Sequence, residues 1–216
     1  MARVEQLFPI NIYMDMCNLD IESDIAFLSK LPLASSPVLK AGQTDDEAID
    51  NYGYRSESFY VLNNPEVATL RNWIIDCLDE YAIKVLGYDI SGMGLTQSWV
   101  SIKETSQRHL AHTHPNSTIS GVFYFDDSET PITFTDDDRD FLMIKRNPEI
   151  APYNQYHVHP MKYGIILFPS WLEHEVTVNN DVKRSSLSFN SVPLGGFGSA
   201  GDLTEIRYDM IQGRMQ

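Results

Sequence analysis

From about Gly92 onward, the sequence is a series of short segments that have the alternation or apolar content of β-strands and are separated by turn residues. The predicted strands are 97–104, 118–125, 132–135, 141–144, 155–159, 164–168, 173–178 and 184–190. No helical pattern separates them, and consecutive short strands without helices are typical of antiparallel sandwiches and jelly rolls. The sequence therefore predicts a mainly β fold with flanking helices and a jelly-roll core.

The first ninety residues predict a mixed α/β support. Residues 10–14 alternate as a half-buried strand does, and a short helix with one apolar face follows at 21–28. The clearest helix is 65–86, which Asn64 can cap at its start. Residues 33–64 lack a sustained period and predict a long surface loop with one short strand at 58–61.

Length and composition favour one domain. A chain of 216 residues with 43% hydrophobic content can bury one sizeable core. We expect a single domain over 1–216, with the support region at 1–93, the jelly-roll core at 94–192 and a C-terminal extension at 193–216.

Charge and cysteine content narrow the function classes. With 30 acidic and 16 basic residues the formal charge is −14, which opposes a polyanionic partner and disfavours nucleic acid. Cys17 and Cys77 have neither disulfide-framework nor zinc-knuckle spacing, so a reducing cytoplasm is expected. No apolar run reaches the ~20 residues of a membrane helix, and no signal-peptide block is present, so no membrane partner is expected.

Three histidines can share one cavity. His112 and His114 lie two residues apart, so in an extended segment both rings point the same way. His174 follows the buried strand 164–168 and a proline turn, and its alternation with Val176 places it on an apolar, inward face. Three neutral imidazoles on one side of an ion leave open coordination positions, as in catalytic metal sites.

Other polar clusters have simpler interpretations. His157-Val158-His159 is a second candidate pair, but an ordinary strand rim is the preferred interpretation. His109 is interpreted as a solvated loop residue. The acidic run at 136–140 lacks the glycine and terminal glutamate of an EF-hand loop, so it is interpreted as a solvated turn.

The last predicted strand has one polar face. Arg184, Ser186, Ser188 and Asn190 lie on one side, and Ser185, Leu187 and Phe189 lie on the other. The polar face meets either solvent or a cavity.

Three segments, 112–125, 164–174 and 184–190, resemble in sequence and order the 2-oxoglutarate- and Fe(II)-dependent oxygenases of the double-stranded β-helix fold. They look most similar to a subgroup from bacteria and marine phages that carries HxHxxS-like and FPSWLxH-like stretches. The resemblance covers residues from about Trp99 to Asn190.

The resemblance implies Fe(II) and 2-oxoglutarate as cofactors, with His112 and His174 as iron ligands. His114 stands where most of the superfamily has Asp or Glu. We favour His114 as the third ligand; the alternative is that it lies behind the ligands and that water or a distant carboxylate takes its place.

The resemblance further implies that Arg184 binds the distal carboxylate of 2-oxoglutarate. A planar guanidinium suits this task because it can hold a carboxylate with two hydrogen bonds. Ser186 could add a hydroxyl donor from the same face. Tyr124 is a weaker third candidate, with a core tyrosine as the alternative interpretation.

The expected function is hydroxylation, or another oxidation, of a small molecule or protein side chain by a cytoplasmic dioxygenase. Exposed jelly-roll edges also allow a homodimer. Two alternatives are a cupin-like metalloprotein that does not use 2-oxoglutarate and a non-catalytic jelly-roll module for binding or virion association.

Overall fold

Two antiparallel sheets face each other and enclose an apolar layer. The computed structural model describes residues 9–35, 52–136 and 154–210. Its strands are β1 (Tyr13–Met16), β2 (Leu33–Ser35), β3 (Tyr54–Ser56), β4 (Met93–Glu104), β5 (His109–His112), β6 (Ile119–Tyr124), β7 (Ile132–Thr135), β8 (Gln155–Val158), β9 (Gly164–Pro169), β10 (Glu173–Val176), β11 (Lys183–Pro193), β12 (Gly196–Phe197) and β13 (Ile206–Arg207). The helices are α1 (Glu22–Leu28) and α2 (Ala68–Asp79).

Within these ranges the larger sheet has the strand order β1-β9-β6-β11-β4-β3-β2, and the smaller sheet has the order β5-β10-β7-β8. Neighbouring strands in both sheets pair antiparallel. β12 and β13 form a separate two-stranded ribbon. The predicted fold class, mainly β with flanking helices around a jelly-roll core, is confirmed.

The larger sheet buries different side chains on its two faces. One core cluster contains Phe123 of β6, Leu187 and Phe189 of β11, and the apolar residues of α2. Val122 and Tyr124 of β6 belong to a second cluster, which includes residues of β7 and β8 from the smaller sheet. The alternation of each strand therefore divides its residues between a helix-covered face and the barrel interior.

The described strands follow the predicted ones closely, with residues 132–135 identical in extent. β4 and β11 are longer than predicted, at 93–104 and 183–193. The predicted strand at 58–61 is wrong, because Tyr60 forms only an isolated bridge and a 3-10 turn begins at Val61. The predicted strand 141–144 lies outside the described residues.

The long predicted helix has three parts. A 3-10 turn at Pro65–Val67 leads into α2, and a π-helical turn at Glu80–Val85 follows it. The predicted Asn64 side-chain cap is wrong. Instead, the buried Asp24 of α1 accepts a hydrogen bond of 2.9 Å from the Leu70 backbone N–H in the first turn of α2. A carboxylate is favourable there because the first N–H groups of a helix have no partner within it.

Strands from the first part of the chain complete the larger sheet at both edges. β1 pairs with β9 at one edge, and β3 with β2 extends the other edge from β4. The prediction of a long surface loop at 33–64 with its only strand at 58–61 is therefore wrong at 33–35 and 54–56, which are strands; residues 36–51 lie outside the described ranges. The division into 1–93, 94–192 and 193–216 stays a prediction.

None of the described helices is long and apolar enough to cross a bilayer.

Substitution of Gly121 by alanine should destabilise the fold. A Cβ at this position would lie 2.4 Å from Phe189 Cζ and 2.5 Å from Leu167 Cδ2, and both side chains are fully buried. We expect Gly121→Ala to lower the free energy of unfolding by about 1–3 kcal/mol, because overpacking a closed core forces side chains from their rotamers. Chemical denaturation measures this change.

Gly201→Ala is the matched control. The nearest atom to a Cβ there is Ser199 Oγ at 3.7 Å, so the control should unfold as the parent protein does. Equal stability of the two variants would contradict the packing described for β6.

Candidate metal centre

The three predicted histidines converge on one point inside the barrel. β10 pairs with β5 so that His174 lies directly opposite His112. His114 follows β5 by two residues, and its backbone N–H donates a 2.9 Å hydrogen bond to the Ser170 carbonyl in the turn between β9 and β10. One ligand atom from each ring lies within 4.8 Å of those of the other two.

The separation of the nitrogens suits a shared ion. His114 Nε2 and His174 Nε2 are 3.3 Å apart. Two nitrogens that each lie about 2.1 Å from one metal are roughly 3.0–3.4 Å apart for octahedral or tetrahedral angles. The pair thus already has the spacing of two metal ligands.

Backbone carbonyls select the tautomer of two rings. His112 Nδ1 lies 2.8 Å from the Leu110 carbonyl oxygen, and His174 Nδ1 lies 3.0 Å from the Leu172 carbonyl oxygen. Because a carbonyl only accepts, each Nδ1 carries the proton and each Nε2 keeps its lone pair. This is the arrangement that outer hydrogen bonds impose on metal-binding histidines.

The third ring is oriented by Asn190 and Trp99. The Asn190 side chain hydrogen-bonds to the His114 imidazole, and its Oδ1 accepts a 2.9 Å bond from Ser120 Oγ. Trp99 lies nearly parallel to His114, with ring centroids 6.1 Å apart. Ser120 Oγ also lies 2.7 Å from Ser170 Oγ, which joins the network to the turn that carries the His114 main-chain bond. The network holds both the ring and its backbone in place.

Burial keeps the imidazoles neutral. Burial and, to a smaller extent, the nearby His112 ring lower the pKa of His114 to about 4 and that of His174 to about 3. Burial also lowers the pKa of His112. A neutral imidazole is the form that binds a metal.

Arg184 is a buried cation with unused donors. Its side chain is 5% exposed, and Nη2 donates a 3.2 Å hydrogen bond to the Tyr124 hydroxyl. Within the part of the chain that the structure describes, Nε and Nη1 have no partner. A buried guanidinium with free N–H groups is costly unless an anion joins it.

A second cation lies beside this guanidinium. Lys103 of β4 is the register partner of Arg184, is 6% exposed and donates from Nζ to the Tyr52 carbonyl at 2.7 Å. Burial and the Arg184 charge lower the pKa of Lys103 to about 8. The pair makes this end of the barrel electropositive.

Arg184, Tyr124 and the triad line one cavity, here called the inner cavity, together with Lys103, Ser186 and the apolar side chains Val122, Ile132 and Phe168. The polar face predicted for the last strand thus faces a cavity and not solvent. Ser186 lies across from Tyr124 in the register of β11 with β6.

No carboxylate joins the triad among the described residues. Glu173 and Glu175 flank His174, and neither belongs to the cluster, although Glu175 is among the residues that line the inner cavity. His157 lies in β8 with its Nδ1 2.8 Å from Thr133 Oγ1, outside the cluster, as a strand-rim residue would. The acidic run beyond Asp136 lies outside the described residues.

The prediction for His109 is wrong. This residue belongs to β5, its ring stacks on His112 with centroids 4.4 Å apart, and it lines the inner cavity. A regular strand would put residues three apart on opposite faces. An irregularity in the register of β10 with β5 places His109 opposite Val176, and the sequence carries no signal for it.

Lys103 is a second cavity residue that the sequence-based prediction did not include, although the sequence carries a signal for it. Trp99, Ser101 and Lys103 alternate along β4 and line the inner cavity. Extending the alternation argument from the last strand to this one would have placed Lys103 near Arg184.

Solved structures with similar folds include a protein of the 2OG-Fe(II) oxygenase family and a prolyl hydroxylase. A member of the 2OG-Fe(II) oxygenase family from Burkholderia pseudomallei is 14% identical, with a TM-score of 0.55 and coverage of 78% of this chain and 76% of its own. HygX from Streptomyces hygroscopicus, solved with nickel, 2-oxoglutarate and hygromycin B, is 11% identical, with a TM-score of 0.56 and coverage of 86% and 84%.

A prolyl hydroxylase from Trichoplax adhaerens, solved with a peptide fragment of hypoxia inducible factor, is 10% identical, with a TM-score of 0.56 and coverage of 84% of this chain and 83% of its own. At these identities the likeness shows the fold. No curated protein matches the sequence.

A family model matches the sequence itself. The match runs over residues 97–190, and the family is described as "Putative 2OG-Fe(II) oxygenase". The matched segment contains the whole histidine triad, Tyr124 and Arg184. Residues 97–190, which form the barrel core, are therefore similar in sequence to this family of 2OG-Fe(II) oxygenases.

Proposed function

We propose that this protein is an Fe(II)- and 2-oxoglutarate-dependent dioxygenase that hydroxylates, or otherwise oxidises, a C–H bond of a small molecule or a protein side chain. One observation carries the proposal: three neutral imidazoles share a cavity with a buried guanidinium that lacks an anionic partner among the described residues. A metal and a carboxylate-bearing cosubstrate would use both features.

His112, His114 and His174 would hold Fe(II), with Nε2 of His112 and His174 as ligand atoms. Imidazole nitrogens suit iron, and a set of three leaves coordination positions open. Because all three ligands are neutral, the charge of the ion is not reduced by the protein. A dianionic cosubstrate would balance it, which favours 2-oxoglutarate as the partner of this ligand set.

Arg184 would bind the distal carboxylate through its free Nε and Nη1. The Tyr124 hydroxyl accepts from Arg184, so its own hydrogen remains available to the same carboxylate. Ser186, on the same face, would add a further donor. When bound, the iron and cosubstrate supply oxidative decarboxylation of 2-oxoglutarate to succinate and CO2, coupled to insertion of one oxygen atom of O2 into the substrate.

The apolar and aromatic residues of the inner cavity would exclude water and orient the groups that bind there. Val122, Ile132 and Phe168 provide apolar walls that exclude water, which would strengthen an ion pair between Arg184 and a bound carboxylate. Phe168 and Phe134 contact the His174 ring, with centroids 4.5 Å and 6.0 Å away, and fix its plane. The chain thus contributes positioning, and the cofactors contribute the oxidation.

Solved structures of similar fold indicate the class of substrate for this protein only in outline. HygX was solved with hygromycin B and the Trichoplax enzyme with a peptide, so the fold accepts both kinds of molecule. Cys17 and Cys77 are both free and buried, in accord with the reducing cytoplasm that we propose as its location.

Metal and cosubstrate binding can be tested together. Anaerobic addition of Fe(II) and 2-oxoglutarate should produce a weak visible charge-transfer band, because the keto acid chelates the ion. We expect His174→Ala to lose the band, since a buried ligand is removed. His159→Ala, an exposed histidine of the second HxH pair, is the control and should keep it. Absence of the band in folded, iron-loaded parent protein would refute the proposal.

The role of Arg184 has a separate test. Arg184→Gln should weaken 2-oxoglutarate binding by roughly 10- to 100-fold, because it removes charge-assisted hydrogen bonds, and should leave iron affinity close to that of the parent protein. Titration of the charge-transfer band gives the Kd of 2-oxoglutarate, and calorimetry gives that of the metal. Lys183→Gln, which changes the exposed neighbouring residue, is the matched control. Unchanged 2-oxoglutarate affinity in Arg184→Gln would favour a cupin-like metalloprotein.

A further inference from the structure

A second cavity opens beside the triad. It has a volume of about 370 Å³ and is called the outer cavity; it is lined by Arg55, Phe59, Trp99, Lys103, His109 and Asn190, among others, and it reaches His112 and His114. If these histidines hold the metal as proposed above, the outer cavity is where a substrate would approach it. Its lining therefore carries information on the substrate.

The outer cavity has a charge opposite to that of the protein. No Asp or Glu lies among those of its lining residues that the structure describes, whereas Arg55 and Lys103 are both present. The whole chain carries 30 acidic and 16 basic residues. A basic cavity in an acidic protein is a selective feature, because the surrounding surface repels anions that the cavity attracts.

Strand register places both cations on the inner face of the larger sheet. Arg55 of β3 pairs with Ser101 of β4, and Lys103 lies two residues further along β4. Residues two apart in a strand share a face, so Arg55 and Lys103 are diagonal neighbours, about 7–8 Å apart at their backbones. Lys103 in turn pairs with Arg184, on the side away from β3.

The Arg55 guanidinium is held in place by its neighbours and still has unused N–H donors. Its guanidinium carbon lies 4.1 Å from the centroid of the Phe59 ring, a cation–π contact that fixes the group in place. Nε donates a long 3.4 Å bond to the Ser35 carbonyl. No carboxylate of the described ranges forms an ion pair with it, and a guanidinium has five N–H donors. The Lys103 ammonium uses one of its three donors on the Tyr52 carbonyl.

We propose that the substrate carries an anionic group, a carboxylate or a phosphate, that binds to Arg55 and Lys103 in the outer cavity. The inference rests on the proposed function, and it gives this enzyme two separate anion sites. Arg184 serves the cosubstrate in the inner cavity, and Arg55 serves the substrate. The substrate body would lie along Trp99 toward the triad.

Paramagnetic relaxation tests the inference without knowledge of the natural substrate. The full-length protein is loaded with Mn(II) and saturated with 2-oxoglutarate, so that Arg184 is occupied. Benzoate, phenyl phosphate and benzamide are then added as probes, and the relaxation rates of their ring protons are measured by NMR. Benzamide has nearly the shape of benzoate without its charge. We expect at least one anion to bind roughly tenfold more tightly than benzamide, and the better of the two identifies the group.

Arg55→Gln should weaken binding of the favoured anion roughly tenfold. Arg207→Gln, which removes the same charge from β13, where Arg207 forms an exposed ion pair with Asp209, should bind it as the parent protein does. Because Arg55 packs on Phe59, Arg55→Lys is a second test that keeps the charge, and its affinity should lie between those of the parent and Arg55→Gln.

The outcomes separate this inference from the function on which it rests. If the 2-oxoglutarate protons themselves are not relaxed, the proposed function is wrong and the substrate site falls with it. If they are relaxed but both anions bind no better than benzamide, or bind equally well to Arg55→Gln, the cofactor site stands and the anion site is overturned.

Discussion

The antiparallel pairing of β10 with β5 is the interaction on which the site depends. It puts His174 opposite His112, and the next main-chain bond, from His114 to Ser170, fixes the third histidine. A slip of one residue would turn His174 to the other face of its strand and leave two imidazoles without the third. Backbone hydrogen bonds, which do not depend on the metal, therefore build the geometry in which a metal can bind.

The distribution of charge inside the barrel is unusual for an acidic protein. Arg184 and Lys103 are 5% and 6% exposed, yet neither has a carboxylate partner among the described residues. Such cations are costly in the empty fold. An anionic ligand that enters the barrel offsets this cost. Because no internal carboxylate pairs with the two cations, their electrostatic attraction is available to the ligand. The Tyr124 hydroxyl and Tyr52 carbonyl keep the two groups in position meanwhile.

Much of the barrel could be predicted because alternation reports directly on the faces of a strand. It located β6, β7 and β11 and the convergence of the triad. Two kinds of feature could not be predicted. The cap of α2 comes from Asp24, 46 residues away in sequence, so no local pattern could reveal it. The inward position of His109 arises from an irregular strand register, which breaks the period on which the prediction was based.

The edge strands β1, β2 and β3 are the part of the larger sheet whose residues are least constrained by their pairing. They lie before the segment that the family model matches, yet they close both borders of the larger sheet. Main-chain groups form the hydrogen bonds between these edge strands and the rest of the sheet, so any residues with a suitable alternation of apolar and polar side chains can form them. The borders of the sheet thus depend on an alternating pattern more than on particular residues. Arg55 sits on a border strand but faces the interior, so under the proposed substrate site a replacement there would change what binds in the outer cavity and leave the histidine triad as it is.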